Sequence, residues 1–233
     1  QRQMCIRDRS VTVCHEKDGK WYCSISFEYP KTEPVYPKPS KDMKHIGLDM
    51  SATHLYVDSN GELADFEKPY KKLQEKLARE QRKLSHRQKD SKNYEKQHKV
   101  VARLHAKIKH QRKDRLHKLS EQLTREYDLI SIEDLDMSAL KQTLNLGKSY
   151  SDNGWGMFVT MLLYKGKRNG CYIIKIDKWF PSSKTCSQCG YVHKELQLSD
   201  RTYVCPVCGN LIDRDEQAAI NIDLEGLRVL LSA

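Results

Sequence analysis

The chain has 233 residues, 38% of them hydrophobic, with eight cysteines and 41 Lys+Arg against 31 Asp+Glu, a formal net charge of +10. That length allows one large domain or two small ones. Windows at residues 45–57, 127–135 and 172–180 are rich enough in Ile, Leu, Tyr and Val to build a core, which excludes a disordered or fibrous chain. No stretch approaches the roughly 18 consecutive apolar residues of a membrane span, and no secretory leader pattern is visible, so a soluble, cytoplasmic protein with no membrane partner is expected.

Residues 1–10 show no usable periodicity, and the run MCIRDR resembles a translated adapter remnant, so this stretch is set aside as a non-native or unplaced tail. Residues 11–14 and 21–29 alternate apolar and polar side chains across Lys17-Asp18-Gly19, the pattern of a β-hairpin, and a proline-bearing linker follows at 30–39. Residues 11–40 therefore read as the last hairpin of a larger domain plus its linker. Strands are predicted at 46–49 and 54–58, and Ser59-Asn60-Gly61-Glu62 turns the chain into a third at 63–66, giving an antiparallel meander. Leu73, Leu77 and Leu84, then Val101, Leu104, Ile108, Leu119 and Leu123, recur at helical spacing. With a break at Asp90-Ser91, they predict a long helical hairpin over 68–126. A buried strand at 129–135, a helix at 154–168, a strand at 172–179 and a last helix after Asp215 complete the order. No internal repeat is visible. The succession β-β-β-α-β-α-β-α matches an RNase H-like α/β fold with a mixed sheet, a topology that the order of elements does not decide and that the motifs must.

The positive charge is local. Residues 68–118 hold 19 Lys+Arg and 5 Asp+Glu, whereas the rest of the chain holds 22 and 26. A basic stripe beside an acidic body points to a polyanion partner, because phosphate contacts release counterions and bind without regard to sequence. A solvated helical face is the plainer reading, but it lacks the balancing acids such a face normally carries.

Cys186 and Cys189 form one CxxC knuckle and Cys205 and Cys208 a second, with 15 residues between them, the spacing of a four-cysteine zinc site. Gly190 and Gly209, each directly after a second cysteine, suit a turn that needs positive φ. With all four positions filled by protein, one structural Zn²⁺ is expected rather than a catalytic one. Cys5, Cys14, Cys23 and Cys171 lack ligand spacing and are expected to be ordinary buried thiols.

Two carboxylates end apolar strands, Asp49 in HIGLD and Glu133 in LISIE, where burial without a counter-charge is costly. A third acidic cluster, Asp213-Arg214-Asp215-Glu216, opens the last helix, and an Asp there suits an N-cap equally well. Three acids from two strands and a helix start can hold a pair of divalent ions at a phosphodiester, and hard oxygen ligands favour Mg²⁺ or Mn²⁺. Each acid taken singly is more often a surface partner or a cap.

The motifs GLDMS, IEDL, SKTCSQCG with CPVCG, and DRDEQAAINI, in that order, resemble the TnpB (OrfB) family of transposon-encoded nucleases, relatives of type V CRISPR effectors. The resemblance runs from about residue 11 to the C-terminus. It implies a RuvC nuclease core over 41–180, a zinc ribbon over 181–212 and a final RuvC helix over 213–233. It also implies RNA-guided cleavage of DNA by a two-metal phosphodiester hydrolysis, with target DNA and, in the full-length protein, guide RNA as partners. Carried over by motif, Asp49, Glu133 and Asp215 are the catalytic acids, holding two Mg²⁺ or Mn²⁺ ions, while Asp213 and Gln217 stand beside them. Gln217 replaces the family's usual Asn, and GLDMS replaces the commoner GIDxG, placing Ser51 where Gly is usual. Lys72, Lys76, Arg79, Arg82, Lys83, Arg87, Arg103, Lys107, Arg112, Lys184 and Arg214 are the candidate nucleic-acid contacts. The wedge-like barrel and helical domain that precede this region in the family have no counterpart here beyond one hairpin, so the chain reads as a C-terminal fragment. Two other readings stay open: a non-catalytic zinc-ribbon module that only binds nucleic acid, and a strand-transfer transposase, disfavoured by the ribbon between the second and third acids.

Overall fold

A computed structural model describes residues 7–28, 33–51, 53–64, 69–136, 154–197 and 200–232. The chain forms two compact units, one of residues 1–33 with 68–113 and the other of 34–67 with 114–233. Expectations for residues 1–6, Cys5 among them, and for 65–66 lie outside the described residues.

In the first unit, β1 (Arg7–His15) pairs antiparallel with β2 (Trp21–Glu28) in a two-stranded ladder. β1 begins four residues earlier than the alternation predicted, because ladder hydrogen bonds need only backbone and Arg7 finds a partner in Glu28. Cys14 and Cys23 are exposed, correcting the expectation of buried thiols. The same ladder leaves Val11, Val13, Trp21 and Ile25 exposed, so its side chains find little to bury against. Helices α1 (Pro69–Ser85) and α2 (Lys92–Glu126) are separated where expected. Asp90 adopts a positive φ of 64°, and the Ser91 hydroxyl accepts the Tyr94 N–H at 3.1 Å, capping α2. Leu77, Val101, Leu104 and Ile108, at helical spacing, form this unit's apolar cluster.

The second unit is built on a four-stranded sheet. β3 (His45–Met50), β4 (Tyr56–Asp58), β5 (Leu129–Glu133) and β6 (Tyr172–Ile176) lie in the order β4-β3-β5-β6; β3 meets β4 antiparallel and β5 parallel, and β5 meets β6 parallel. Of the third strand predicted at 63–66, the described residues 63–64 carry one bridge, between Val57 and Leu63. The strand predicted at 172–179 stops at Ile176, because Asp177 starts a turn that takes the backbone N–H groups of Trp179 and Phe180.

Strand alternation sorts this sheet into two faces. Ile46, Leu48, Ile130 and Ile132 pack with Leu116 and Leu123 of α2 and with Trp155, Phe158, Met161 and Leu162 of helix α3 (Trp155–Asn169). The alternate positions face the last helix, α4 (Arg214–Ser232). Gly47 is required there: a Cβ on it would sit 2.2 Å from the Ala219 carbonyl oxygen and 2.6 Å from the Asp223 nitrogen, both backbone. The hairpin of β7 (Thr202–Val204) and β8 (Leu211–Asp213) precedes α4. Among the described residues, no helix is long and apolar enough to cross a membrane.

Candidate metal and carboxylate centre

The two knuckles converge. The ligand atoms of Cys186, Cys189, Cys205 and Cys208 all lie within 4.8 Å of one another, as a tetrahedral ion requires. Each knuckle closes in the same way: Gly190 N–H donates to the Cys186 carbonyl at 2.9 Å and Gly209 N–H to the Cys205 carbonyl at 3.0 Å, with φ of 74° and 72°. Burial works against ionisation of Cys186 and Cys205. Backbone N–H groups of Gln188 and Cys189, and of Val207 and Cys208, outweigh it and hold both thiols below their usual range. Cys189 and Cys208 are raised instead, a backbone N–H bond at each being outweighed by burial and by the neighbouring cysteines, so one thiol of each knuckle is favoured as thiolate and the other is not. Tyr203, fully buried, packs with Cys186 and Cys205 beneath the cluster.

Two of the three carboxylates stand near the C-terminal ends of the central strands β3 and β5, and the third lies in the first turn of α4. Leu48 pairs with Ile132, so Asp49 and Glu133, the next residues of their parallel strands, stand at the same level. They share the alternation of Gly47 and Ser131 and therefore face α4, whose first turn carries Asp215. All three are half-buried. Burial raises the Asp49 carboxyl well above its usual range, and the charges of Glu133 and Asp215 add to the rise; Arg214 and the Met50 N–H pull the other way. Glu133 is raised by burial and drawn back by a hydrogen bond from the Ser182 hydroxyl. Arg214 pairs with Asp215 at 3.4 Å, and the guanidinium of exposed Arg201 lies 4.0 Å from it. The acids influence one another without converging as tightly as the sulfurs: among the described residues, the four cysteines form the set drawn within 4.8 Å.

Asp213 caps the last helix, its Oδ1 accepting the N–H groups of Asp215 at 2.9 Å and Glu216 at 3.2 Å. Gln217 is fully buried and turned toward the ribbon. Its Oε1 accepts from Ser187 and Asn210, and its Nε2 donates to the Thr185 carbonyl. Ser51 closes the turn after β3, its hydroxyl accepting the His54 N–H at 3.3 Å. The sequence reading missed Ser182 and Asn221, although Ser182 lies just before the motif that opens the first knuckle and Asn221 lies within the helix motif.

The basic candidates divide. Lys76, Arg79, Arg82, Lys83, Arg87 and Lys107 are exposed along α1, α2 and their connection, with Lys83 and Arg79 also paired to Glu80. Arg103 is exposed but donates to the Asp18 carbonyl at 3.1 Å, and Arg112 is half-buried. Lys184 donates to the Lys194 carbonyl, and Arg214, only 14% exposed, serves the carboxylates as a counter-charge. The side chain of Lys72 lies outside the described residues.

These features define a mixed α/β protein with a four-cysteine cluster able to hold a zinc ion and a group of acids at the ends of its central strands and the start of its last helix. Residues 13–144 match the OrfB_IS605 family, described as a probable transposase, and residues 155–222 match the Cas12f1-like TNB domain. The chain belongs to the OrfB_IS605 (TnpB) family. It is 38% identical over 94% of its length to a Streptomyces pristinaespiralis protein named "Putative RNA-guided DNA endonuclease", covering 53% of that protein. It is 33% identical over 98% of its length to the Escherichia coli K12 protein of the same name designated InsQ, covering 59%. The chain thus spans a little over half the length of these curated relatives. Its fold resembles a chain of a CRISPR-Cas12f ternary complex solved by cryo-EM, with a TM-score of 0.55 and 18% identity over 88% of this chain and 42% of that one.

Proposed function

We propose that this chain carries the RuvC-type, RNase H-like nuclease centre and zinc ribbon of an RNA-guided DNA endonuclease that acts in the cytoplasm with a guide RNA and a DNA target. The observation that carries the reading is the placement of Asp49 and Glu133 level on the two central strands, on the sheet face covered by α4, whose first turn carries Asp215. The strand order, one antiparallel and two parallel pairings, supports the RNase H-like assignment. The names of the relatives support the guided reaction.

The donor set fits a pair of hard divalent cations. Carboxylate oxygens are their preferred ligands, and Asp49 is pushed toward protonation by burial first and by the charges of Glu133 and Asp215 second, a penalty that positive charge would relieve. Asp49, Glu133 and Asp215 would hold Mg²⁺ or Mn²⁺, which when bound lowers the pKa of water and stabilises the leaving oxygen of a phosphodiester. The chain's own contribution is geometric. Two parallel strands set the heights of Asp49 and Glu133, the Asp213 cap starts the helix so that Asp215 falls in its first turn, and Arg214 counters the charge. Exposed cations of α1 and α2 would bind nucleic-acid phosphates without reading sequence.

The test is cleavage of end-labelled single-stranded DNA by the purified chain in Mg²⁺ or Mn²⁺, beside Asp215→Ala. Cutting that falls by at least a hundredfold in the variant is expected. A folded, zinc-loaded chain that binds the DNA and leaves it intact, both alone and with guide RNA, would overturn the reading in favour of a binding module.

A further inference from the structure

The segment joining β6 to the first knuckle is a tight turn built on Pro181. Its carbonyl accepts Lys184 N–H at 3.1 Å, Thr185 N–H at 3.0 Å and the Thr185 hydroxyl at 2.8 Å. Two side-chain amides of α4 grip this turn from outside. Asn221 Nδ2 donates to the Ser182 carbonyl at 2.7 Å and to the Thr185 carbonyl at 2.6 Å, and Gln217 Nε2 donates to the same Thr185 carbonyl. Gln217 and Asn221 are four residues apart and so lie on one face of the helix. Both are buried, Asn221 to 5% exposure, where an unmet amide would be costly.

The turn reaches the carboxylates through one hydroxyl. Ser182, 6% exposed, donates from Oγ to Glu133 Oε1 at 2.5 Å, across 49 residues of sequence. That bond engages one lone pair of Oε1 and restricts rotation of the carboxylate. The other end of the turn leads into the cysteine cluster. Thr185 directly precedes Cys186, and Gln217 Oε1 also accepts from Ser187, inside the first knuckle, and from Asn210, after the second. The helix that carries Asp215 thus also holds the turn that holds Glu133.

We propose that Ser182 and Asn221 are positioning residues for Glu133: Asn221 clamps the 181–185 turn to α4, and the clamped Ser182 hydroxyl orients the Glu133 carboxylate for the divalent cation. The inference rests on the nuclease reading above and assigns that centre two further members.

The test is Mn²⁺ binding to the zinc-loaded chain without nucleic acid, followed by the electron paramagnetic resonance signal of free Mn²⁺, in wild type, Asp49→Ala, Ser182→Ala, Ser182→Thr and Asn221→Ala. Losing a hydrogen bond that orients a ligand typically weakens metal binding by about 10–100-fold, so about tenfold weaker Mn²⁺ binding is expected for Ser182→Ala, with recovery in Ser182→Thr. Asn221→Ala is expected to weaken it similarly and to speed amide exchange over 182–186, while exchange in β5 stays at the wild-type rate. Mn²⁺ affinity that falls in Asp49→Ala but is unchanged in folded Ser182→Ala overturns the positioning role alone. Mn²⁺ affinity indifferent to Asp49→Ala overturns the nuclease reading and this inference with it. If Asn221→Ala does not fold, the Ser182 pair decides by itself.

Discussion

The first unit holds its two helices together with four buried aliphatic side chains, Leu77, Val101, Leu104 and Ile108, and leaves the apolar residues of its strand pair exposed. The second closes a sheet between helices on both faces, with Leu48, Leu116, Ile130, Ile132, Phe158 and Leu162 completely buried. The basic stripe falls largely in the first, and every candidate ligand in the second. Contact with a charged backbone tolerates imprecision, because Coulombic attraction changes slowly with distance. A set of ligands must be held to a fraction of an ångström and so needs strands and helices whose own positions are over-determined by packing.

The sharpest way to break this contrast is to empty each core in turn. Phe158→Ala is expected to cost about 4 kcal/mol and Leu104→Ala about 2 kcal/mol, measured by denaturant unfolding, and equal costs would mean the units are equally packed. Gly47→Ala comes next: the added methyl meets backbone of α4 that cannot swing away, so about 3 kcal/mol is expected, together with loss of Mn²⁺ binding as the helix lifts from the acids. A smaller effect is expected at Glu121. Burial alone would raise its carboxyl, but Arg125, Arg168 and Lys165 hold it down to about 2. Because the folded value is depressed, its stabilisation is complete above the unfolded value of about 4.3 and fades as the pH falls toward 2. Glu121→Gln should therefore flatten the stability profile across that window. Least disturbing to the fold, Arg87→Ala with Lys107→Ala should change stability by less than about 0.5 kcal/mol. The same pair should reduce the slope of log binding constant against log salt by about 1–2. An unchanged slope would show that the exposed cations meet no phosphate.

Local signals made part of this legible. Paired CxxC spacing announced the sulfur cluster because both ligands of a knuckle come from one turn, and acids ending apolar strands announced Asp49 and Glu133 because isolated charge is costly there. Ser182 carried no comparable signal: a serine before a knuckle is unremarkable until Glu133 is known to lie against it. Gln217 reads as an altered neighbour of the acids, yet its buried amide faces the ribbon, since helical spacing turns it away from Asp215. Cys14 and Cys23 read as buried because thiols usually are, and only the bare two-stranded ladder exposes them.

The sequence by itself determined the paired cysteine knuckles, the two acids near the ends of apolar strands, the helical hairpin with its break at Ser91, and the family, all features written in spacings of a few residues. The tertiary structure alone decided that Asp49 and Glu133 stand level, that α4 covers their face, and that Asn221 and Ser182 join that helix to Glu133. Those facts depend on strand register and on groups tens to more than a hundred residues apart, whose meeting is set by how the core packs and leaves no periodic trace along the chain.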